Sequence, residues 1–353
     1  MSNSKNDLIL KQWNAFYAER GVSEDRIKEY LDYASNLLKN KGCIIMDDAH
    51  FCLMNGIKKD TLYSMVYGTQ KFYYTFKIKK HSGGMREICS PYPSLKVIQN
   101  WIYENVLKLQ KTNGCAHGFK NKRSIVTNAK YHLHNDYLLK LDLKDFFPSI
   151  KINKVVQVFK GIGYSKEVSF ILSRLCCLNE ELPQGAPTSP CLSNIICRLM
   201  DKRLFLLAKS CGYNYTRYAD DISFSGKIIP PKFIDYAKKI IEDCGFTLNE
   251  KKTRLYKKDN NKILTGICIR NGEMRLPRDK RRQYELDIYY TIKYGLDVRV
   301  KGDITSLSTY ILSQLGKANF WHMIEPDNDF VNKAIPQIKS LYEQAIGFKN
   351  GEK

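Results

Sequence analysis

The chain has no apolar run approaching the ~18 residues that a membrane-spanning helix needs, and its first ten residues, Met1 to Leu10, carry no apolar signal core. No membrane partner is expected, and the location expected is cytoplasmic. Although eleven cysteines are present, no two are spaced C-x-x-C, and most sit in apolar runs such as Ile195-Ile196-Cys197 and Ile267-Cys268-Ile269. That pattern argues for reduced, buried thiols and against a zinc site or a disulfide framework. There is no internal repeat and no low-complexity linker, and no window is polar enough for a long disordered tract.

Acidic residues are also scarce, 36 Asp plus Glu against 57 Lys plus Arg, leaving a net charge of +21. Such a field attracts polyanions and makes their binding salt-dependent through counterion release, so nucleic acid is the leading partner. The remainder is ordinary for a globular protein, with 43% hydrophobic and 26% charged residues, and 353 residues can bury one sizeable core or two modest ones.

Periodicity gives the local elements. Ile27, Tyr30, Leu31, Ala34, Leu37 and Leu38 mark one face of a helix over 24–40. From Tyr73 to Ile88 the pattern alternates around Lys-Lys-His-Ser-Gly-Gly, which predicts a hairpin with a glycine turn and a basic edge. A helix is expected from Ser94 through Leu95, Ile98, Ile102, Val106 and Leu109, and another from Ser124 to Asn135. The segment Tyr137 to Leu143 reads as a strand with Leu139, Leu141 and Leu143 on one face and Lys140 and Asp142 on the other. A helix beginning at Pro230-Pro231 turns Phe233, Ala237, Ile240, Ile241 and Cys244 inward and stops at Gly245. Beyond about Asn271 the chain becomes more basic, with Arg278, Lys280, Arg281 and Arg282 ahead of a helix that ends near Gly295, which suggests a separate helical C-terminal domain.

The strongest chemical signal is Tyr218-Ala219-Asp220-Asp221 between two β-rich runs, a tight turn presenting adjacent carboxylates. Asp-Asp alone is common in polar turns. Like charges side by side are tolerated best with a cation between them and a third carboxylate, and hard oxygen donors suit Mg²⁺. Two other segments keep this turn company: Leu141-Asp142-Leu143-Lys144-Asp145-Phe146-Phe147-Pro148-Ser149-Ile150 upstream, and Leu182-Pro183-Gln184-Gly185-Ala186-Pro187-Thr188-Ser189-Pro190 between them.

In that order the three segments resemble the palm of a reverse transcriptase, and the likeness extends at motif level from about Phe51 to Gly272. It implies an α+β right hand. A helical extension would occupy 1–50, fingers 51–138 and 151–181, a palm of antiparallel sheet with helices on one face 139–150 and 182–272, and a basic helical thumb 273–353. By the same resemblance Asp142, Asp220 and Asp221 would hold two Mg²⁺ ions, or Mn²⁺ in their place. Lys252 would assist the departing pyrophosphate, with Lys251 beside it an alternative. Phe147, next to Phe146, would be the steric gate selecting deoxynucleotides. Gln184 and Gly185 would lie against the incoming dNTP and template, with Gly185 allowing close backbone approach, and Arg86 and Arg123 would grip the triphosphate.

Asn128-Ala129-Lys130-Tyr131-His132 is similar to the N-A-x-x-H element of retron enzymes. Asn128 and His132, four apart, share a helical face and are placed either to bond RNA or to hold a loop. Where retron enzymes tend to carry V-T-G, this chain has Leu264-Thr265-Gly266, and Gly266 with Arg278, Arg281 and Arg282 would face RNA. The resemblance then implies a cognate structured noncoding RNA of the msr-msd type, priming from a guanosine 2′ hydroxyl, a branched RNA–DNA product, and an antiphage role with an effector protein encoded nearby. The competing expectations are another bacterial defence or group II intron-like enzyme with conventional priming, and a non-catalytic RNA-binding scaffold.

Overall fold

The computed structural model describes residues 2–79, 83–258, 260–297 and 304–351. Among the described residues nine strands form three antiparallel sheets: β1 Tyr73–Lys79 with β2 Met85–Pro91; a four-stranded sheet of β3 Tyr137–Asp142, β4 Asn214–Tyr218, β5 Asp221–Gly226 and β6 Arg254–Tyr256; and β7 Lys262–Leu264, β8 Ile267–Arg270 and β9 Glu273–Arg275. The middle sheet runs β4-β5-β3-β6, so β3 is flanked on both sides.

Of the two possibilities, one core or two, the described residues form two apolar clusters. The first takes Leu139, Leu141 and Leu143 from the strand region, with Phe159, Leu172, Leu204, Phe224 and Phe233 from the surrounding helices and from β5. The leucine face expected of Tyr137–Leu143 is therefore the inner face of the sheet, and Asp142 leaves it at the strand end. A second cluster gathers Leu264, Ile267 and Ile269 of the third sheet with Ile288, Trp321, Val331 and Ile338 of three helices, Arg278–Tyr294, Ile304–Ile324 and Asp329–Gly351. The third sheet crosses the expected boundary at 272/273 and packs with the C-terminal helices.

The helix expected over 24–40 is Glu24–Lys39, and the one expected from Pro230 is Pro231–Asp243. The hairpin of β1 and β2 pairs Tyr73 with Pro91 and Lys79 with Met85, while residues 80–82 of its turn lie outside the described residues. Two helices differ from expectation. One starts at Pro93, where a missing N–H costs nothing in the first turn, and passes at Tyr103–Leu107 into a π-helical turn. That turn breaks the 3.6-residue register, and Leu109 ends 58% exposed. The other is capped by Ser124, whose hydroxyl accepts from the Thr127 amide, but it ends at Lys130 and does not reach Asn135. His132 is why: its amide donates to Ala129 O, three residues back, and its ring is pinned to the sheet.

All eleven cysteines are unpaired, five of them buried, and Cys211 is exposed. Among the described residues no helix is long and apolar enough to cross a membrane.

Candidate active site

Strand register brings the acidic residues together. The last residue of β3, Asp142, pairs directly with the first residue of β5, Asp221. Tyr218 pairs with Asp221 across the two-residue turn Ala219-Asp220, with Ala219 in the left-handed region at φ 57°. Leu143 N donates to Asp220 O at 3.0 Å and Asn249 N to Asp142 O at 2.8 Å, so the chain leaving β3 is tied to both the turn and the 249–252 segment.

On that segment it is Lys252, not Lys251, that reaches the acids: its Nζ lies 3.0 Å from both carboxylate oxygens of Asp142. Three carboxylates against the ammonium groups of Lys252 and Lys140 leave an excess of negative charge. Burial, and then the neighbouring Asp221, push the Asp220 carboxyl up to about 6. Burial also raises Asp221, with Lys140 opposing. Among the described residues no three His, Cys, Asp or Glu side chains form a ready-made ligand cage. The donor set nevertheless fits a hard divalent ion of the kind that takes one or two carboxylates and completes its shell with substrate phosphates and water.

The raised Asp220 makes a signed prediction. Asp220 holds its proton more tightly in the folded chain than in the unfolded one. Its charge therefore costs stability above about pH 6, and that cost disappears below the unfolded value near 3.8. Asp220→Asn should stabilise the metal-free protein by on the order of 2 kcal/mol at neutral pH and leave it unchanged near pH 4. Equal melting shifts at both pH values would refute this.

The aromatic pair divides. Phe146 is 5% exposed and packs near Phe246, whereas Phe147 is partly exposed beside Phe119, ring centroids 6.0 Å apart. Gly185 has φ 135°, and a Cβ there would meet Cys89 O at 2.5 Å. Cys89 N also donates to Gln184 O at 2.9 Å. The close backbone approach expected of Gly185 is thus made to β2, and it stitches the Gln184-Gly185 loop to the first hairpin. Arg86 is exposed on β2 opposite Ile78, and Arg123 is partly buried with its guanidinium carbon 5.9 Å from the Tyr131 ring centroid.

Asn128 and His132 lie inside, each 1% exposed. Nδ1 of His132 is 2.7 Å from Ser225 Oγ and Nε2 is 2.7 Å from Thr216 Oγ1, while Asn128 Nδ2 donates to Thr265 Oγ1 at 3.5 Å. Of the two expectations for this motif, holding a loop fits this burial and bonding RNA does not. Burial pulls the His132 pKa down to about 3, which keeps the ring neutral between its two hydroxyls. Thr265 and Gly266, φ 47° and 85°, form the two-residue turn joining β7 to β8, so two motifs 137 residues apart meet at this hairpin. Arg278, Arg281 and Arg282 are exposed near the start of helix Arg278–Tyr294, where Tyr290 and Tyr294 stack 5.9 Å apart.

Sequence reasoning missed a buried ion pair behind the acidic turn, Arg217 with Asp201, both 0% exposed. The available signal was an arginine inside a β-rich run immediately before Tyr218.

Reverse transcriptase (RNA-dependent DNA polymerase) is the family whose model matches residues 78–268, from β1 to β8. The retron Ec86 reverse transcriptase of Escherichia coli is 34% identical over 258 residues, covering 72% of this chain and 81% of that protein. The chain belongs to the retron reverse transcriptases. Other relatives are the retron Mx162 enzyme of Myxococcus xanthus, 34% identical over 73% of this chain and 59% of its own length, and the retron Ec83 enzyme of Escherichia coli, 30% identical over 77% and 91%. A retron reverse transcriptase is an RNA-directed DNA polymerase, and its family generally uses divalent metal ions. In this one the matched segment contains the paired Asp142 and Asp221, the turn between β4 and β5, and Lys252.

Proposed function

We propose that this retron reverse transcriptase copies part of a cognate structured noncoding RNA into single-stranded DNA, starting from a guanosine 2′ hydroxyl and yielding a branched RNA–DNA hybrid. The observation that carries the polymerase chemistry is the convergence of Asp142, Asp220 and Asp221 at paired strand ends, with Lys252 beside Asp142. These three carboxylates would hold two Mg²⁺, which would supply activation of the attacking hydroxyl and neutralisation of the leaving pyrophosphate. Lys252 sits where it can pass from Asp142 to a phosphate oxygen. Phe147 crowds a ribose 2′ hydroxyl. Arg123 and Arg86 grip the triphosphate, a task suited to a forked, permanently charged group. Gln184 lies against the nucleotide, held there by the Cys89 contact.

Fingers, palm and thumb correspond in this reading to the first hairpin with its helices, the four-stranded sheet, and the third sheet with the C-terminal helices. Exposed Arg278, Arg281 and Arg282, followed by Tyr289, Tyr290 and Tyr294, give the thumb a basic, aromatic face suited to an RNA stem. An effector protein and a role against phage follow from the retron setting.

The deciding experiment supplies purified protein with its own RNA, dNTPs and Mg²⁺. A DNA product whose mobility shifts on treatment with debranching enzyme is expected, whereas free linear cDNA would replace this reading with conventional priming.

A further inference from the structure

Four hydrogen bonds leave the buried guanidinium of Arg217. Nε donates to Asp201 Oδ1 at 2.7 Å, Nη2 to Asp201 Oδ2 at 2.8 Å and to Asn194 Oδ1 at 3.0 Å, and Nη1 to the carbonyl oxygen of Ala219 at 3.0 Å. The last lands on the catalytic turn itself. We propose that Arg217 is a positioning residue, which sets the place of Asp220 and Asp221 by holding the Ala219 carbonyl against a frame of Asp201 and Asn194. This rests on reading those aspartates as the polymerase carboxylates.

The turn needs such a hold. Ala219 is a non-glycine residue at φ 57°, a conformation L-residues adopt only when their surroundings enforce it. The frame is rigid: Tyr215 OH also donates to Asp201 Oδ1, at 2.7 Å, and Asn194 Nδ2 donates to Gly118 O at 2.9 Å. The Arg217 backbone is bracketed as well, its N–H donating to Cys115 O at 2.9 Å and its carbonyl accepting from His117 N at 2.7 Å. Gly118 closes the outer side, since a Cβ there would lie 2.6 Å from Ala219 N. The turn is thus clamped between a guanidinium beneath and a glycine backbone above.

Stability alone does not call for this pair. Desolvating two charges is costly, and well-packed apolar residues of similar volume usually serve a core as well or better. The contact that an apolar pair cannot supply is the one from Nη1 to Ala219 O. Lysine cannot supply it together with the Asp201 bonds, because a single ammonium lacks the fork.

The test uses the full chain with its RNA and two variants. In Arg217→Met/Asp201→Leu/Tyr215→Phe the ion pair and its tyrosine become apolar while Asn194 keeps its bond to Gly118 O, and in Arg217→Lys charge is kept and the fork lost. Both should melt within about 5 °C of the parent, incorporate dNTPs ~100-fold more slowly with KM little changed, and exchange the amide protons of 218–222 at least about tenfold faster in the metal-free protein. Parent rates and parent exchange in a folded variant would overturn the proposal, and so would failure of both variants to fold, which would reduce the pair to packing. Asp220→Asn is measured alongside. If it polymerises normally, the carboxylate reading fails, while the exchange result at the turn still decides whether Arg217 holds it.

Discussion

Asp142→Asn should lower single-nucleotide incorporation by about 10³-fold or more while the protein stays folded. The amide keeps the shape of the side chain at the end of β3 and removes its charge, so the strand pairing with Asp221 is untouched. Lys252 loses an ion-pair partner, but its side chain is 55% exposed and such pairs contribute at most ~1 kcal/mol. The loss therefore belongs to the chemical step. Primer extension with saturating dNTP and Mg²⁺, run beside a thermal melt, measures both quantities. A variant retaining more than about a tenth of parental incorporation would restore the scaffold as a serious alternative.

Phe147→Ala should admit ribonucleotides, shrinking discrimination between dGTP and GTP by ~10–100-fold. The neighbouring position supplies the control. Phe146 is buried in the first cluster, so Phe146→Ala should cost ~3–5 kcal/mol of stability with little change in selectivity. Phe147, partly exposed beside Phe119, should show the converse. Steady-state incorporation of each nucleotide across one template base separates the two, and unchanged discrimination in Phe147→Ala would rule it out as the gate.

Much of the site was legible because it is built from local signals. A leucine alternation placed Asp142 on a strand and off its leucine face, two β-rich runs framed Ala219-Asp220, and the order of three short motifs identified the palm. What was not legible depends on partners distant in sequence. Nothing local says that His132 spends both ring nitrogens on Thr216 and Ser225, or that Asn128 reaches Thr265. Gly185 was singled out for close approach, yet its neighbour proved to be the backbone of Cys89, on another hairpin. Lys251 and Lys252 differ only in which way a short 3₁₀ turn, Glu250–Lys252, points each of them. Arg217 escaped because a single charged residue in a strand is ordinarily a solvated one, and only its depth reveals its work.

The crossing of the third sheet over the expected 272/273 boundary bears on how retron enzymes are recombined. Exchanging the C-terminal helices between relatives invites a splice just after Gly272, yet a junction at 273 would separate β9 from β8 and divide Ile267 and Ile269 from Trp321 and Ile338. The exchangeable unit begins upstream of Lys262 and carries its own hairpin. The seam to be matched in a chimera includes Val126 and Ala129 on the capped helix, Leu138 on β3, the Asn128–Thr265 bond and the bond from Lys262 Nζ to Asn135 O.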